Sequence, residues 1–194
     1  HVVAGFNLTC LGDDRCFSYV PSRSCDTLAD KVALHVLKNT DPNFNHYSWL
    51  DRGSDERQYC APGIDLPVVN MMRSKHGTYP EYHTSLDDLN FITPTGLEGG
   101  YMVHKDAIEI LEKNAILKYT VLGEPQLGKR GLRPQVGEKD NVYKVMTLMN
   151  LLSYCDGKMT ILEIADIINE SFNNIYPIID KLVEHGLLTK KYEQ

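Results

Sequence analysis

Hydrophobic and polar positions divide the chain into blocks of different period. Val2 to Leu11 is rich in Val, Leu and Phe, which predicts a buried first strand over 2–11. A loop with Asp13, Asp14, Arg15, Pro21, Ser22 and Arg23 follows. Leu28, Val32, Leu34, His35 and Leu37 then recur at roughly helical spacing up to Asn39, with Asp26 or Thr27 placed to cap the helix. The cluster Asn39-Thr40-Asp41-Pro42-Asn43 predicts a turn. Tyr47 to Leu50 is a short strand candidate, and Leu66 to Met72 is apolar enough to lie inside a sheet. A helix over Lys105 to Lys113 and a strand over Ile116 to Leu122 complete the block. Strands alternating with helices predict a layered α/β fold for residues 1–122.

From 123 to 139 the pattern dissolves into Pro125, Gly128, Gly131 and Pro134 among Lys129, Arg130 and Arg133, the composition of a linker or covering loop. Beyond it, Val142 to Tyr154 reads as an apolar helix stopped by Asp156-Gly157. Thr160-Ile161-Leu162-Glu163 has the form of a capping box opening a second helix, which runs to Asn169. Ser171 to His185 is a third helix with Gly186 in the position a C-cap glycine favours, and Leu187 to Lys191 resembles a short strand. Three short helices and a hairpin-like tail predict a winged-helix domain over 140–194.

Composition narrows the function classes. No apolar run approaches the roughly 20 residues of a membrane span. The formal charge of −6 disfavours nucleic acid and anionic membranes as partners, since both select a basic field. Within the third helix Lys181 is set against Asp180 and Glu184, a poor phosphate-binding face, so the tail is expected to pack against protein rather than DNA. Cys10, Cys16, Cys25, Cys60 and Cys155 are odd in number and lack C-x-x-C spacing, the usage of reduced thiols in a cytoplasmic protein. The chain runs from His1 straight into Val2 and Val3, which predicts a stretch of a longer polypeptide.

Two polar strings could carry chemistry. Asp55-Glu56 precedes the strand expected at 66–72, and His83 follows it, with Asp87 and Asp88 close behind. Metal ligands in sheet proteins gather at the carboxyl ends of strands, and a metal-bound imidazole needs an acceptor on its other nitrogen. Read alone, each string has an ordinary explanation. Acids suit a helix N-terminus, and a lone His followed by acids is usually a surface or capping arrangement.

Taken in order, Gly53-Ser54-Asp55-Glu56, an apolar strand, and Tyr82-His83-Thr84-Ser85-x-Asp87 resemble the closing half of the co-catalytic zinc aminopeptidases, metallopeptidase family 28. Those enzymes carry Ser-Asp-His before the last central strand and His-Thr-x-x-Asp after it, and that second His binds zinc. The chain is most similar to a bacterial aminopeptidase-like branch encoded among polysaccharide-biosynthesis genes. Gly5-Phe6, Thr9-Cys10, Gly12-Asp13-Asp14, Arg52 through Gln58, Pro62-Gly63, Tyr79 through Asp88 and Gln126 through Leu132 carry the likeness.

The resemblance implies a zinc-exopeptidase-like mixed sheet flanked by helices, of the phosphorylase/hydrolase-like kind, with a winged-helix tail. It implies His83 as a zinc ligand, Asp55, Glu56, Arg57 and Tyr82 lining the pocket, and Asp87 orienting the loop or the imidazole. Where those enzymes place a second zinc-binding Asp this chain has Thr9-Cys10, so Asp13 or Asp14 would have to substitute, and a one-zinc site is equally compatible. The remaining ligands and the general base are expected upstream, leaving no catalytic residue within 1–194. The implied activity is hydrolysis of a small peptide or amide, with a homo-oligomer compatible. The alternative is a non-catalytic binding or assembly protein that keeps the fold and uses the winged helix to hold partners.

Among other residues, Arg15, Arg23, Arg57 and Arg73 could clamp a carboxylate but suit structural ion pairs better. Gly99-Gly100 is too short for a phosphate loop.

Overall fold

A computed structural model describes residues 1–130, 132 and 141–192. The chain divides into two compact units, His1–Leu111 and Glu112–Gln194.

The first unit is built on a four-stranded mixed sheet. Its strands are β1 (Gly5–Asn7), β2 (Ser18–Val20), β3 (Asn45–His46) and β4 (Val68–Met72), in the order β1-β4-β2-β3. β1 runs parallel to β4, β4 antiparallel to β2, and β2 parallel to β3. All five residues of β4 are buried, as the apolar run Leu66–Met72 predicts for an internal strand.

Helix α1 (Leu28–Thr40) covers the sheet with Val32, Val36 and Leu37. Thr27 is its N-cap, in a capping box whose acid is Asp30. Asp30 is itself buried and accepts hydrogen bonds from Tyr19 Oη at 2.5 Å, Ser22 N at 2.9 Å and Thr27 N at 2.9 Å. One carboxylate thus ties β2, the following loop and the helix start together. A short helix, α2 (Glu56–Tyr59), precedes β4.

Three expectations change in this unit. The first strand shrinks to three residues, because the chain turns off the sheet after Asn7 and Cys10 adopts a left-handed φ of 50°. The strand expected at Tyr47–Leu50 is displaced to Asn45–His46, and Trp49–Asp51 forms a 3₁₀ turn capped by Ser48. The helix expected from Lys105 begins eleven residues earlier, as α3 (Pro94–Lys113). Thr93 Oγ1 accepts from Gly96 N at 2.9 Å, and Pro94 fills the first helical position, where proline is tolerated. Gly96, Gly99 and Gly100 obscure this start. Their absent side chains let α3 lie directly on the loop after β1: a Cβ on Gly96 would sit 2.2 Å from the Gly12 carbonyl oxygen.

The second unit holds β5 (Ile116–Tyr119), α4 (Asn141–Ser153), β6 (Asp156–Thr160), α5 (Ile161–Ile167), α6 (Phe172–Glu184) and β7 (Leu188–Lys191). The three strands form an antiparallel sheet in the order β6-β5-β7. The helices bury Leu151, Leu152, Ile164, Phe172, Ile175 and Ile179 against one another. The capping box at Thr160 and Glu163 and the left-handed Gly186, at φ 67°, form as the sequence suggests.

Two features differ from expectation. The strand at 116–119, read as the end of the α/β block, is the middle strand of this sheet. Asp156-Gly157, read as a helix stop, opens β6, with Gly157 at φ 91° beside the irregular pairing of Lys118. Of the segment read as a linker, Gly131 and residues 133–139 lie outside the described residues. Among those described, Gly128–Arg130 forms a 3₁₀ turn.

Candidate functional site

β1 and β4 pair in parallel through Gly5↔Val68 and Asn7↔Asn70, so their carboxyl ends lie side by side. The loops leaving them carry most of the candidate residues. They are joined first through the backbone: Arg73 N donates to Cys10 O at 2.9 Å, and Thr93 N to Gly12 O at 2.9 Å. Asp13, buried to 2% exposure, adds the side-chain junction. One of its oxygens accepts from Ser74 Oγ at 2.7 Å and Arg15 N at 3.0 Å, and the other from Ser74 N at 2.9 Å.

Arg73 donates through Nε to the Asp13 carbonyl at 2.7 Å and lies 3.9 Å over the Phe17 ring. Arg15 forms a two-point pair with Glu81 at 2.6 and 3.0 Å and stacks on Phe91. Asp14 accepts from Thr93 Oγ1 at 3.0 Å. Arg15 thus acts in an ion pair and a stack and Arg73 in a carbonyl bond and a stack, and both oxygens of Asp13 are engaged in holding the two loops.

His83 stands on the second loop, exposed, in a left-handed turn at φ 58°. Histidine adopts that region at some energetic cost, which the surrounding ring packing offsets. Its ring stacks on Tyr82 at 3.9 Å between centroids. Tyr82 packs edge-on to Tyr79, and Tyr79 stacks on Phe91. The Tyr79 hydroxyl reaches Cys10 Sγ at 3.5 Å, back across to the first loop. Burial, then Cys10, then the nearby charge of Asp87 push the Tyr79 hydroxyl well above its ordinary pKa, so it remains a donor. Asp87 is exposed on the same loop as His83.

The Asp55-Glu56 string separates into two different residues. Asp55 is exposed at the start of α2 and makes no side-chain cap. Glu56 is fully buried. Its carboxylate accepts from Gly53 N at 2.7 Å, Ser54 N at 3.1 Å and Asn7 Nδ2 at 3.3 Å, tying α2 to β1. Burial alone would raise the Glu56 pKa. The Asn70 amide and the Gly53 and Ser54 N–H groups outweigh it and hold the carboxyl below its ordinary value. Asn70 acts from outside normal hydrogen-bond geometry, because both its polar atoms are buried without a partner. Arg57 is exposed and bonds the Ser54 carbonyl at 3.2 Å.

His76 is a residue that the sequence reading passed over. It is buried against Gly53, where a Cβ would meet its ring at 2.4 Å, and its other face tilts against Tyr82 at 6.2 Å. Burial first, then Lys75, lowers its pKa. No sequence signal marks His76. Asn70, in the middle of Val68-Val69-Asn70-Met71-Met72, was legible as a polar residue in an internal strand.

The structure therefore brings His83 and Tyr82 together, joins Glu56 to β1, and engages Asp13 and Asp14 elsewhere. Among the described residues, no group of three or more His, Cys, Asp or Glu side chains converges to hold a metal ion. In the second unit, Lys190 is paired with Asp180 at 2.5 Å and lies over the Tyr176 ring at 4.2 Å, which occupies one of the few cations near α6.

A mixed α/β unit followed by a winged helix is the class that this architecture defines, and comparison with known proteins gives the family. Residues 1–114 match the domain of unknown function DUF4910, and residues 115–190 match a winged helix-turn-helix. The chain belongs to the DUF4910 family. A Clostridium acetobutylicum protein named for polysaccharide biosynthesis and an aminopeptidase-like domain is 33% identical over 190 residues, 97% of this chain and 44% of that protein. A crystal structure from the same species, named as a peptidase, superposes with a TM-score of 0.85 at 31% identity, covering 97% of this chain and 42% of that one. The chain spans less than half the length of the relatives it matches. No helix among the described residues is long and apolar enough to cross a membrane.

Proposed function

We propose that this chain is part of a zinc-dependent, aminopeptidase-like hydrolase of small peptide or amide substrates, with the other ligands and the general base supplied by the rest of a longer protein. One observation carries the reading. His83 is exposed on the loop that follows β4, in a strained turn and fixed by ring stacking on Tyr82, in a chain whose relatives are named for peptidase-like domains. A residue held so and left facing solvent is available to a ligand. Glu56, in contrast, has its carboxylate bound into the fold, so its role is to hold α2 and the turn before it against β1. Asp87, near Tyr79 and His83, is the remaining candidate to orient the loop or the imidazole.

A second reading, a binding or assembly protein without catalysis, is favoured by one specific finding. The acid nearest to Thr9-Cys10 that could stand in as a second ligand, Asp13, is consumed by Ser74 and Arg15.

Metal content separates the two readings. In the longer protein, zinc counted per chain by mass spectrometry is expected at about one or two, falling by at least half in His83→Ala. An absence of bound metal in both proteins would sink the hydrolase reading and leave His83 as a loop residue. The 194-residue stretch by itself is expected to lack hydrolytic activity.

A further inference from the structure

An apolar groove of the first unit lies away from His83, between β1 and α3. It encloses about 780 Å³ and is lined by Phe6, Leu8 and Leu11 on one side and Leu97, Tyr101 and Ile108 on the other. Leu8 is 66% exposed, Tyr101 64% and Ile108 53%.

The pattern of α3 explains why this face is unlike an ordinary surface. Gly96, Gly100, Val103, Ala107 and Ile110 form a buried stripe at alternating spacings of four and three. Leu97, Tyr101, His104, Ile108 and Leu111 form a second stripe at the same spacing, one residue further round, and these line the groove. A surface helix needs one apolar stripe about 100° wide, whereas two adjacent stripes mark a helix packed on two sides.

Two features show what kind of partner fits. β1 is the terminal strand of the sheet, and among the described residues nothing pairs with its outer edge. Gly5 N–H points inward, donating to Pro67 O at 2.8 Å, so the alternation of the strand turns Phe6 N–H outward. His104, 6% exposed, donates Nδ1–H to Gly100 O at 2.8 Å, since a carbonyl can only accept. Its Nε2 is then an acceptor, and it is buried without a partner. The relatives meanwhile carry more than half their length outside the stretch that matches this chain.

We propose that this groove seats polypeptide from the remainder of the longer protein. A strand pairs with the outer edge of β1, and a helix packs on the Leu97–Ile108 stripe and brings a hydrogen-bond donor to His104 Nε2. The sheet of the first unit is thus completed within the same chain. This inference rests on the chain being part of a longer protein, and on nothing about zinc or hydrolysis.

Two measurements on the longer protein test it. In wild type, hydrogen exchange of the Phe6 amide is expected to be as slow as that of Val69 in the buried strand; exchange at the rate of the surface loops would overturn the proposal. In thermal unfolding, Ile108→Glu is expected to lower Tm by about 5 °C or more, while Leu122→Glu, at a fully exposed site, changes it by about 1 °C or less. An unchanged Tm in Ile108→Glu would place this face in solvent and defeat the idea. So would a wild-type dimer that Ile108→Glu converts to a monomer of undiminished Tm, because a second copy would then be the occupant.

Discussion

Single residues set how the first unit responds to pH. Asp30 and Glu56 are buried carboxylates. Burial opposes their charge, but hydrogen bonds from Ser22, Thr27 and Tyr19 to Asp30, and the nearby Asn70 amide together with hydrogen bonds from Gly53 and Ser54 N–H to Glu56, favour it more strongly. Their folded pKa values lie below the ordinary ones. The stability they contribute is therefore present above the unfolded values, about 4, and is lost as pH falls through the folded values. His76 and His104 work at higher pH. Burial lowers both, so the fold prefers them neutral, and stability is lost as pH drops below about 6.5. Urea unfolding as a function of pH is expected to show two successive losses, one starting near 6.5 and one near 4. Asp30→Asn should cost about 2–4 kcal/mol at neutral pH, because an amide nitrogen would face donors, and should flatten the lower loss. A curve level from pH 7 to pH 3 would contradict both assignments.

At the scale of elements, the legible parts were those fixed by local chemistry. A cap at Asp26 or Thr27, of which the structure uses Thr27, the Thr160 and Glu163 box and Gly186 mark helix ends, and the apolar run 66–72 marks an internal strand. What stayed hidden depends on distant contacts. The first eleven residues of α3 contain three glycines that read as loop, yet they are there because the helix lies against Gly12 and Asp13. Gly96→Ala tests this. Helix propensity alone would make it stabilising by about 1 kcal/mol. Its Cβ, 2.2 Å from the Gly12 oxygen, must instead push helix and loop apart, and chemical denaturation is expected to show a net loss of about 2 kcal/mol or more. A gain would show that the approach is not tight. The candidate site was similarly half legible. His83 and Tyr82 could be read from their string. The engagement of Asp13 with Ser74 and the burial of His76 beneath Tyr82 could not, since both depend on how two loops distant in sequence meet.

For the molecule as a whole, the central position of β5 sets where it can be cut. A domain taken from 140 onward, as the helical pattern suggests, would lose the strand between β6 and β7 and leave both without partners. A fragment of 140–194 is expected to be unfolded by circular dichroism and one of 112–194 to be folded; a cooperative melt from the shorter piece would contradict this. The same placement orders events on the ribosome. β5 emerges before any of the three helices, and its partners follow only at Asp156 and Leu188. The sheet can close only when the last residues of this stretch have been made. Until then β5 keeps at least one open side during synthesis, so for this unit translation speed and chaperone access are expected to affect yield.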